Sequence, residues 1–365
     1  MRKIPPPYTD PAPLFRHGGI APADRAKLLD FSASVNPLGP PASVLQAIRA
    51  ALPGIAHYPD PHCRELTEKL AALHAVAPEQ IVIGNGSNEL IYASARAFRP
   101  RRVAIAEPTY TEYLRASLLV GAQVEHWLAE GDDFALEPFD PEGADLVWLC
   151  NPNNPTGGLW PQASRSLAPW IQAHPASCFV VDEAFLSCCG GDLPVADYTL
   201  VQHLAACENL VVLRSLTKQF ALPGLRLGYA ITSPARAVRL RAELPPWSVN
   251  LLAQVAGIAA LADREYPRKT EEWFREAASP FATSLARCGQ LIPSRATFVL
   301  ARLERWTATQ VNSRMRERGL LVRDASNFVG LDDRYLRVAV KTRDANERLV
   351  CALAEILAGE PCPAP

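Results

Sequence analysis

Short apolar runs open at Ile81, Val103, Leu146, Phe179 and Leu210, and stretches of helical periodicity such as 88–97 and 163–173 fall between them. That alternation predicts strand–helix–strand units wound around a mostly parallel sheet, because a strand that returns parallel to its neighbour needs a crossover, usually a helix. In such an open α/β sheet, ligands bind in the crevice outside the carboxyl ends of the strands, so residues that end or follow each run are the first candidates for chemistry. Beyond a break at 234–246 a long helical pattern runs from 250 to about 275 and leads into a second unit. There 296–302 and 335–340 read as strands of a compact α+β domain, closed by a helix over 344–357. A chain of 365 residues exceeds one simple core. The expected organisation is a segment over 1–45 that joins the small domain and covers the active site, a large α/β domain over 46–245 and a small α+β domain over 246–365. There is no internal repeat.

Bulk properties exclude several classes. A formal net charge of -1 gives no electrostatic reason for nucleic-acid or membrane binding. No apolar run reaches the length of a membrane span, since even 251–261 is interrupted by Gln254, and the opening residues lack the apolar core of a secretory signal. Nine cysteines without metal spacing read as reduced thiols of a cytoplasmic protein, and the adjacent Cys188 and Cys189 have no neighbouring histidine to suggest a metal. Prolines cluster at 5–7, 37–41 and 361–365, marking stiff loops and a frayed tail; with 48% hydrophobic residues the chain is not disordered.

Particular residues carry the chemistry. In Val212-Leu-Arg-Ser-Leu-Thr-Lys-Gln-Phe-Ala-Leu-Pro-Gly-Leu-Arg-Leu-Gly-Tyr229 a strand delivers Lys218 beside the hydroxyls of Ser215 and Thr217, with Arg226 eight residues on. A lysine that must join an aldehyde needs a lowered pKa, and a phosphorylated aldehyde needs hydroxyl and cationic anchors. Val180-Val-Asp-Glu-Ala-Phe185 places Asp182 at a strand end, where it can pair with a protonated pyridine nitrogen or simply cap the next helix. Asn151-Pro-Asn-Asn-Pro-Thr-Gly157 is a turn by composition, yet Asn154 can hydrogen-bond a phenolic oxygen. Ile81-Val-Ile-Gly-Asn-Gly-Ser-Asn-Glu-Leu-Ile91 reads as strand, glycine turn and helix start, an anion site built on Gly86, Ser87 and Asn88. Tyr110 in Ala106-Glu-Pro-Thr-Tyr110 is placed to stack on a planar ring or to pack in the core.

These motifs, in this order, resemble the fold-type I pyridoxal phosphate enzymes of the class I and II aminotransferase family, over about 28–357. The resemblance implies that fold, with pyridoxal 5'-phosphate as cofactor. Lys218 would carry the cofactor, Asp182 would pair with the ring nitrogen, Asn154 would bind the phenolic oxygen and Tyr110 would stack on the ring. Gly86, Ser87, Asn88, Ser215, Thr217 and Arg226 would hold its phosphate. His57-Tyr-Pro-Asp-Pro61 resembles the segment whose tyrosine, here Tyr58, reaches the phosphate bound in a neighbouring subunit, which implies a homodimer with shared active sites.

Two further stretches resemble the threonine-phosphate decarboxylase branch, which makes aminopropanol phosphate for the nucleotide loop of cobalamin. They are Phe15-Arg-His-Gly-Gly19 with Leu29-Asp-Phe-Ser-Ala-Ser-Val-Asn-Pro-Leu-Gly-Pro40, and the ending from Gly319 to Arg343. The resemblance implies that His17, Gly18, Ser34, Asn154, Arg323 and Arg337 contact a phosphorylated amino acid, O-phospho-L-threonine. Phe185 stands where aminotransferases of this branch carry a tyrosine that donates to the phenolic oxygen, and phenylalanine cannot donate. Read without the resemblance, Arg323 and Arg337 could be surface ion-pair residues, and His17 part of a terminal turn. The alternative within the family is an aminotransferase acting on histidinol phosphate or another amino acid, which would use the same Lys218, Asp182 and Arg337. A cofactor-binding regulator would need a helix-turn-helix head, for which fewer than thirty residues leave no room.

Overall fold

The computed structural model describes every residue except 7, 142, 161–162, 190–194 and 360–365. The proline-rich tail over 361–365 and Pro7 therefore lie outside the described residues. An eight-stranded sheet organises the larger part of the chain, in the spatial order Arg2–Ile4, Gln123–Leu128, Arg102–Glu107, Leu146–Cys150, Cys178–Asp182, Leu210–Ser215, Gly228–Thr232 and Ile81–Gly84. From Gln123–Leu128 to Leu210–Ser215 all neighbours run parallel. Gly228–Thr232 is antiparallel to both its neighbours, and Arg2–Ile4 adds an antiparallel edge.

Every residue of Leu146–Cys150, Cys178–Asp182 and Leu210–Ser215 is buried, as expected for parallel strands covered on both faces. Alternate side chains feed two separate cores. Val147, Leu149, Phe179 and Val181 pack with Leu66, Leu70, Leu167 and Ile171 from helices on one face. Trp148, Cys150, Val180 and Leu213 pack with Leu90, Ile91, Tyr113 and Leu240 from helices on the other. The strand period of two thus sorts one sequence into a three-layer structure.

The small unit is an antiparallel sheet in the order Gln290–Leu291, Phe298–Arg302, Tyr335–Ala339 and Arg323–Asp324, backed by Glu265–Leu285, Ala308–Glu317 and Arg343–Ala358. An amino-terminal stretch joins it. Leu29–Asp30 pairs parallel with Leu320–Leu321, the Phe31 N–H donates to the Leu321 carbonyl at 2.7 Å, and the Phe31 ring is fully buried in the small unit's core.

Two expectations need correcting. The stretch around Pro234 is no break: Pro234–Ala242 is a helix, with proline in its first turn, where its missing N–H costs nothing, and with Ala237 and Leu240 buried. The long pattern from 250 is two helices, Leu251–Ala262 and Glu265–Leu285. Asp263 divides them: its carboxylate accepts the N–H groups of Glu265 and Tyr266, at 3.1 and 2.9 Å, and so starts a new helix where continuous apolar spacing suggested none.

One close approach shapes the site. A Cβ on Gly228 would collide with the backbone of Gly86 and Ser87, so the antiparallel strand can lie against the glycine turn only without a side chain. Gly228→Ala is expected to destabilise the fold by about 1–3 kcal/mol through overpacking, read as a lower denaturation midpoint with an unchanged denaturant slope.

Candidate active site

The parallel strands end on one rim, at Glu107, Cys150, Asp182 and Ser215, and the segments beyond them line a cavity of about 250 Å³. The elements explain the placement. Asp182 is the last residue of its strand, and Ser215 ends its own and then caps the single turn Leu216–Gln219 that presents Lys218.

Lys218 is buried, with two guanidinium groups and the Asp182 carboxylate close enough to act on its charge. Burial, with Arg226 and Arg337 nearby, brings its pKa down to about 8, against the pull of Cys188 and Asp182. Its Nζ lies 5.4 Å from the centre of the Phe185 ring. Asp182 is buried: its Oδ2 accepts from the Tyr113 hydroxyl at 2.8 Å and its Oδ1 from the Ala184 N–H at 2.9 Å. Burial raises the Asp182 carboxyl above its ordinary value, although Tyr113, Ala184 and Lys218 oppose the shift. A carboxyl in this condition is suited to share a proton with a ring nitrogen.

An anion cradle lies beside them. Gly86, at φ +83°, caps the helix Ser87–Phe98, and a Cβ there would come within 2.5 Å of the Arg226 guanidinium, so the turn and the arginine are packed as closely as glycine permits. Ser215 and Thr217 share a hydroxyl hydrogen bond of 2.7 Å at the cavity wall. A helix start, two hydroxyls and one guanidinium together match a phosphate monoester.

Opposite the cradle stand the small unit's arginines. Arg323 and Arg337 are direct cross-strand partners, so they project from one face of the sheet. Both are buried, and neither has a carboxylate within 4 Å among the described residues. Instead the Arg337 guanidinium donates to Ser32 O at 2.9 Å and to Asn154 Oδ1, and Arg323 donates to Arg16 O and Asn327 Oδ1, each at 2.6 Å. Burial, with Arg323 alongside, lowers the Arg337 pKa to about 9. The Arg337 Nε and the Ser34 hydroxyl are buried with no hydrogen-bond partner.

The structure brings nearly all of the sequence-predicted residues together. His17, Gly18, Ser34, Ser87, Asn88, Tyr110, Asn154, Asp182, Ser215, Thr217, Lys218, Arg226, Arg323 and Arg337 all line the cavity. Gly86 is not among the lining residues but packs against Arg226, which is. Tyr58 does not enter this pocket: it is 81% exposed and packs on Trp247, with ring centres 4.8 Å apart. The burial of Arg323 and Arg337 rules out their reading as surface ion-pair residues, and His17 is held by Glu112 at 2.8 Å. Sequence reasoning missed Arg16, Tyr113 and Asn327. Tyr113 lies three residues after Tyr110, in the first turn of the helix Glu112–Leu119, and its ring packs edge-on against that of Tyr110. Cys188 and Cys189 are buried thiols pushed upward by burial, Cys188 to about 12, and no metal-ligating cluster occurs among the described residues.

The residues present fit pyridoxal phosphate: a buried carboxyl for its nitrogen, a lysine of lowered pKa for its aldehyde, an anion cradle for its phosphate and an asparagine for its phenolic oxygen. Comparisons with known proteins agree. The Aminotransferase class I and II family model matches residues 26–353. A threonine-phosphate decarboxylase of Salmonella typhimurium is 39% identical over 356 residues, covering 93% of each chain. The crystal structure of the histidinol-phosphate aminotransferase from Clostridium acetobutylicum superposes with a TM-score of 0.84 at 29% identity, over 91% of this chain and 99% of that one. That of L-threonine-O-3-phosphate decarboxylase from Porphyromonas gingivalis gives 0.82 at 30%, over 91% and 100%. With its lysine, aspartate and phosphate cradle set on the rim of one mostly parallel sheet, the chain belongs to the pyridoxal phosphate-dependent class I and II aminotransferase family.

Proposed function

We propose that this protein decarboxylates O-phospho-L-threonine to (R)-1-amino-2-propanol O-phosphate, a step in making cobalamin. The observation that carries the reading is the pair Arg323 and Arg337: like charges, buried and directly opposed across a sheet, are destabilising unless an anion joins them. A substrate bearing both a carboxylate and a phosphate answers that arrangement. The 39% identity to the Salmonella decarboxylase favours this branch, as does Phe185, which lines the cavity and has no group to donate.

Pyridoxal phosphate, when bound, supplies the electron sink that lets a bond at the substrate's Cα break. The chain decides which bond. Arg323, with His17 and Gly18, would receive the phosphate, while Asn154, Ser34 and Arg337 would orient the amino acid so that its carboxylate, and not its Cα–H, is the group presented for loss as carbon dioxide. Lys218 then returns a proton to Cα, and a pKa of about 8 suits it to that transfer. Were Arg337 instead to hold the carboxylate back, Lys218 would move the Cα proton, and the same residues would serve transamination. The TM-score of 0.84 to a histidinol-phosphate aminotransferase supports that second reading. Tyr58, exposed and stacked on the half-exposed Trp247, is offered to a second copy in a homodimer with shared sites. The site faces a small phosphorylated metabolite in a cytoplasmic setting, with no nucleic-acid or membrane partner. Among the described residues no helix is long and apolar enough to cross a membrane.

Three outcomes are expected. The holoenzyme given O-phospho-L-threonine without a keto acid releases carbon dioxide over many turnovers, and Arg337→Ala lowers kcat/KM at least about 100-fold, the worth of two charge-assisted hydrogen bonds; conversion to the pyridoxamine form by histidinol phosphate, with no gas released, would assign an aminotransferase instead. Lys218 must be neutral to take up the cofactor, so capture by the apoprotein should quicken with pH up to about 8 and then level off, followed by visible absorbance, while Lys218→Ala develops no such band. Light scattering should give twice the 39.8 kDa chain mass, and Tyr58→Ala should weaken cofactor retention without altering the fold of one subunit.

A further inference from the structure

Glu112, which holds His17, has been given no part in the chemistry so far, yet it is a buried carboxylate with three polar partners beside the pocket. It opens the helix Glu112–Leu119, two residues after Tyr110, and its side chain is only 2% exposed. Three groups converge on it: His17 Nε2 at 2.8 Å, the Tyr92 hydroxyl, and an Arg115 guanidinium nitrogen at 3.8 Å. Burial alone would raise this carboxyl, but the hydrogen bonds from His17 and Tyr92, with Arg115 nearby, hold it below the usual range. A buried, ionised carboxylate is costly unless it is fully paired, so the fold holds it for the groups it grips.

Chief among those groups is a piece of the pocket wall. His17 comes from 95 residues earlier in the chain, its ring lies 5.7 Å from that of Tyr110, and it lines the cavity. Because an ionised carboxylate only accepts, the bond places a proton on Nε2 and fixes the plane of the imidazole. The adjoining backbone is pinned from the other side. Arg16 O accepts from Arg323 and Asn327, at 2.6 and 3.1 Å, and Gly19 N–H donates to the Ser32 hydroxyl at 2.7 Å. Gly18 lies so close to Ser32 that a Cβ would meet its carbonyl oxygen at 2.5 Å. Residues 16–19 thus form a strap held by the small unit at one edge and by Glu112 at the other.

We infer that Glu112 is a positioning residue for substrate recognition: by holding His17 through Nε2 it sets the imidazole and the strap as the wall that receives the substrate's phosphate. The inference rests on the proposed function only in requiring a phosphorylated substrate. It parallels the way a carboxylate behind a histidine fixes that ring's orientation in many sites.

The test compares wild type, Glu112→Gln, Glu112→Asp, His17→Ala and the Glu112→Gln/His17→Ala double variant as holoenzymes, with thermal unfolding to verify folding. KM and kcat are measured for whichever of O-phospho-L-threonine and histidinol phosphate the wild type turns over; if it turns over neither, dissociation constants for O-phospho-L-threonine replace them. Glu112→Gln should raise KM about tenfold with a smaller change in kcat. Glu112→Asp should recover part of that loss, and Glu112→Gln should add nothing once His17 is absent. A KM within twofold of wild type, or an equal increment with and without His17, would overturn the inference. Carbon dioxide release by the wild type is scored separately, so a protein active only on histidinol phosphate sinks the decarboxylase reading while the KM series still decides the role of Glu112.

Discussion

Lys218 is taken out of water and set among other cations, and most of the pocket answers that placement. An amine so placed is held near a pKa of 8, and the arrangement requires anions to be supplied nearby. Asp182 provides one from the protein, carrying its own burial penalty. The cradle of Gly86, Ser87, Ser215, Thr217 and Arg226 leaves room for a second, and the Arg323–Arg337 pair calls for a third. Two buried arginines without a carboxylate partner among the described residues, and a phosphate cradle of a helix start, two hydroxyls and one guanidinium, leave the site electrostatically incomplete, and pyridoxal phosphate supplies part of the missing negative charge.

The sheet exists to hold that imbalance in place. Full burial of the three central strands gives a rigid floor, and their parallel direction brings Asp182, Lys218 and the turn after Cys150 to the same edge. Gly228–Thr232 runs against both its neighbours, and because residue 228 has no side chain it can lie against the turn at Gly86 and Ser87. Backbone geometry thus sets the cofactor end of the pocket, whereas long side chains from a second core set the substrate end.

Most of this was legible in the sequence because strand-end residues can be recognised without knowing the sheet order. Apolar runs mark five of the eight strands of the large sheet, and Asp182, Asn154, Tyr110 and Lys218, which end those runs or follow them within a few residues, line the cavity; Arg2–Ile4, Gln123–Leu128 and Gly228–Thr232 escape the pattern. Pro234 misled because proline signals a break and a helix start with equal force, and only the burial of Ala237 and Leu240 tells the two apart. The junction at Asp263 was overlooked although Asp263 and Pro267 are residue types that open a helix, because the spacing of apolar residues stays helical on both sides of it. The grip of Glu112 on His17 was out of reach for another reason: a contact between residues 95 positions apart leaves no local periodicity to read. The face shared by Arg323 and Arg337 likewise depends on a cross-strand register that neither strand alone specifies.

The pairing of residues near 16 and 30 with residues near 320 bears on how the protein comes into being. A chain leaving the ribosome has released Lys218, Arg226 and the turn at Gly86 by residue 226, along with Glu112, which grips one edge of the strap at 16–19, but the strap's other edge has no partner until Leu320–Leu321 and Arg323 emerge. The order of synthesis therefore separates the two halves of the pocket in time, so a nascent chain can present a cofactor cradle well before it can hold anything for that cofactor to act upon.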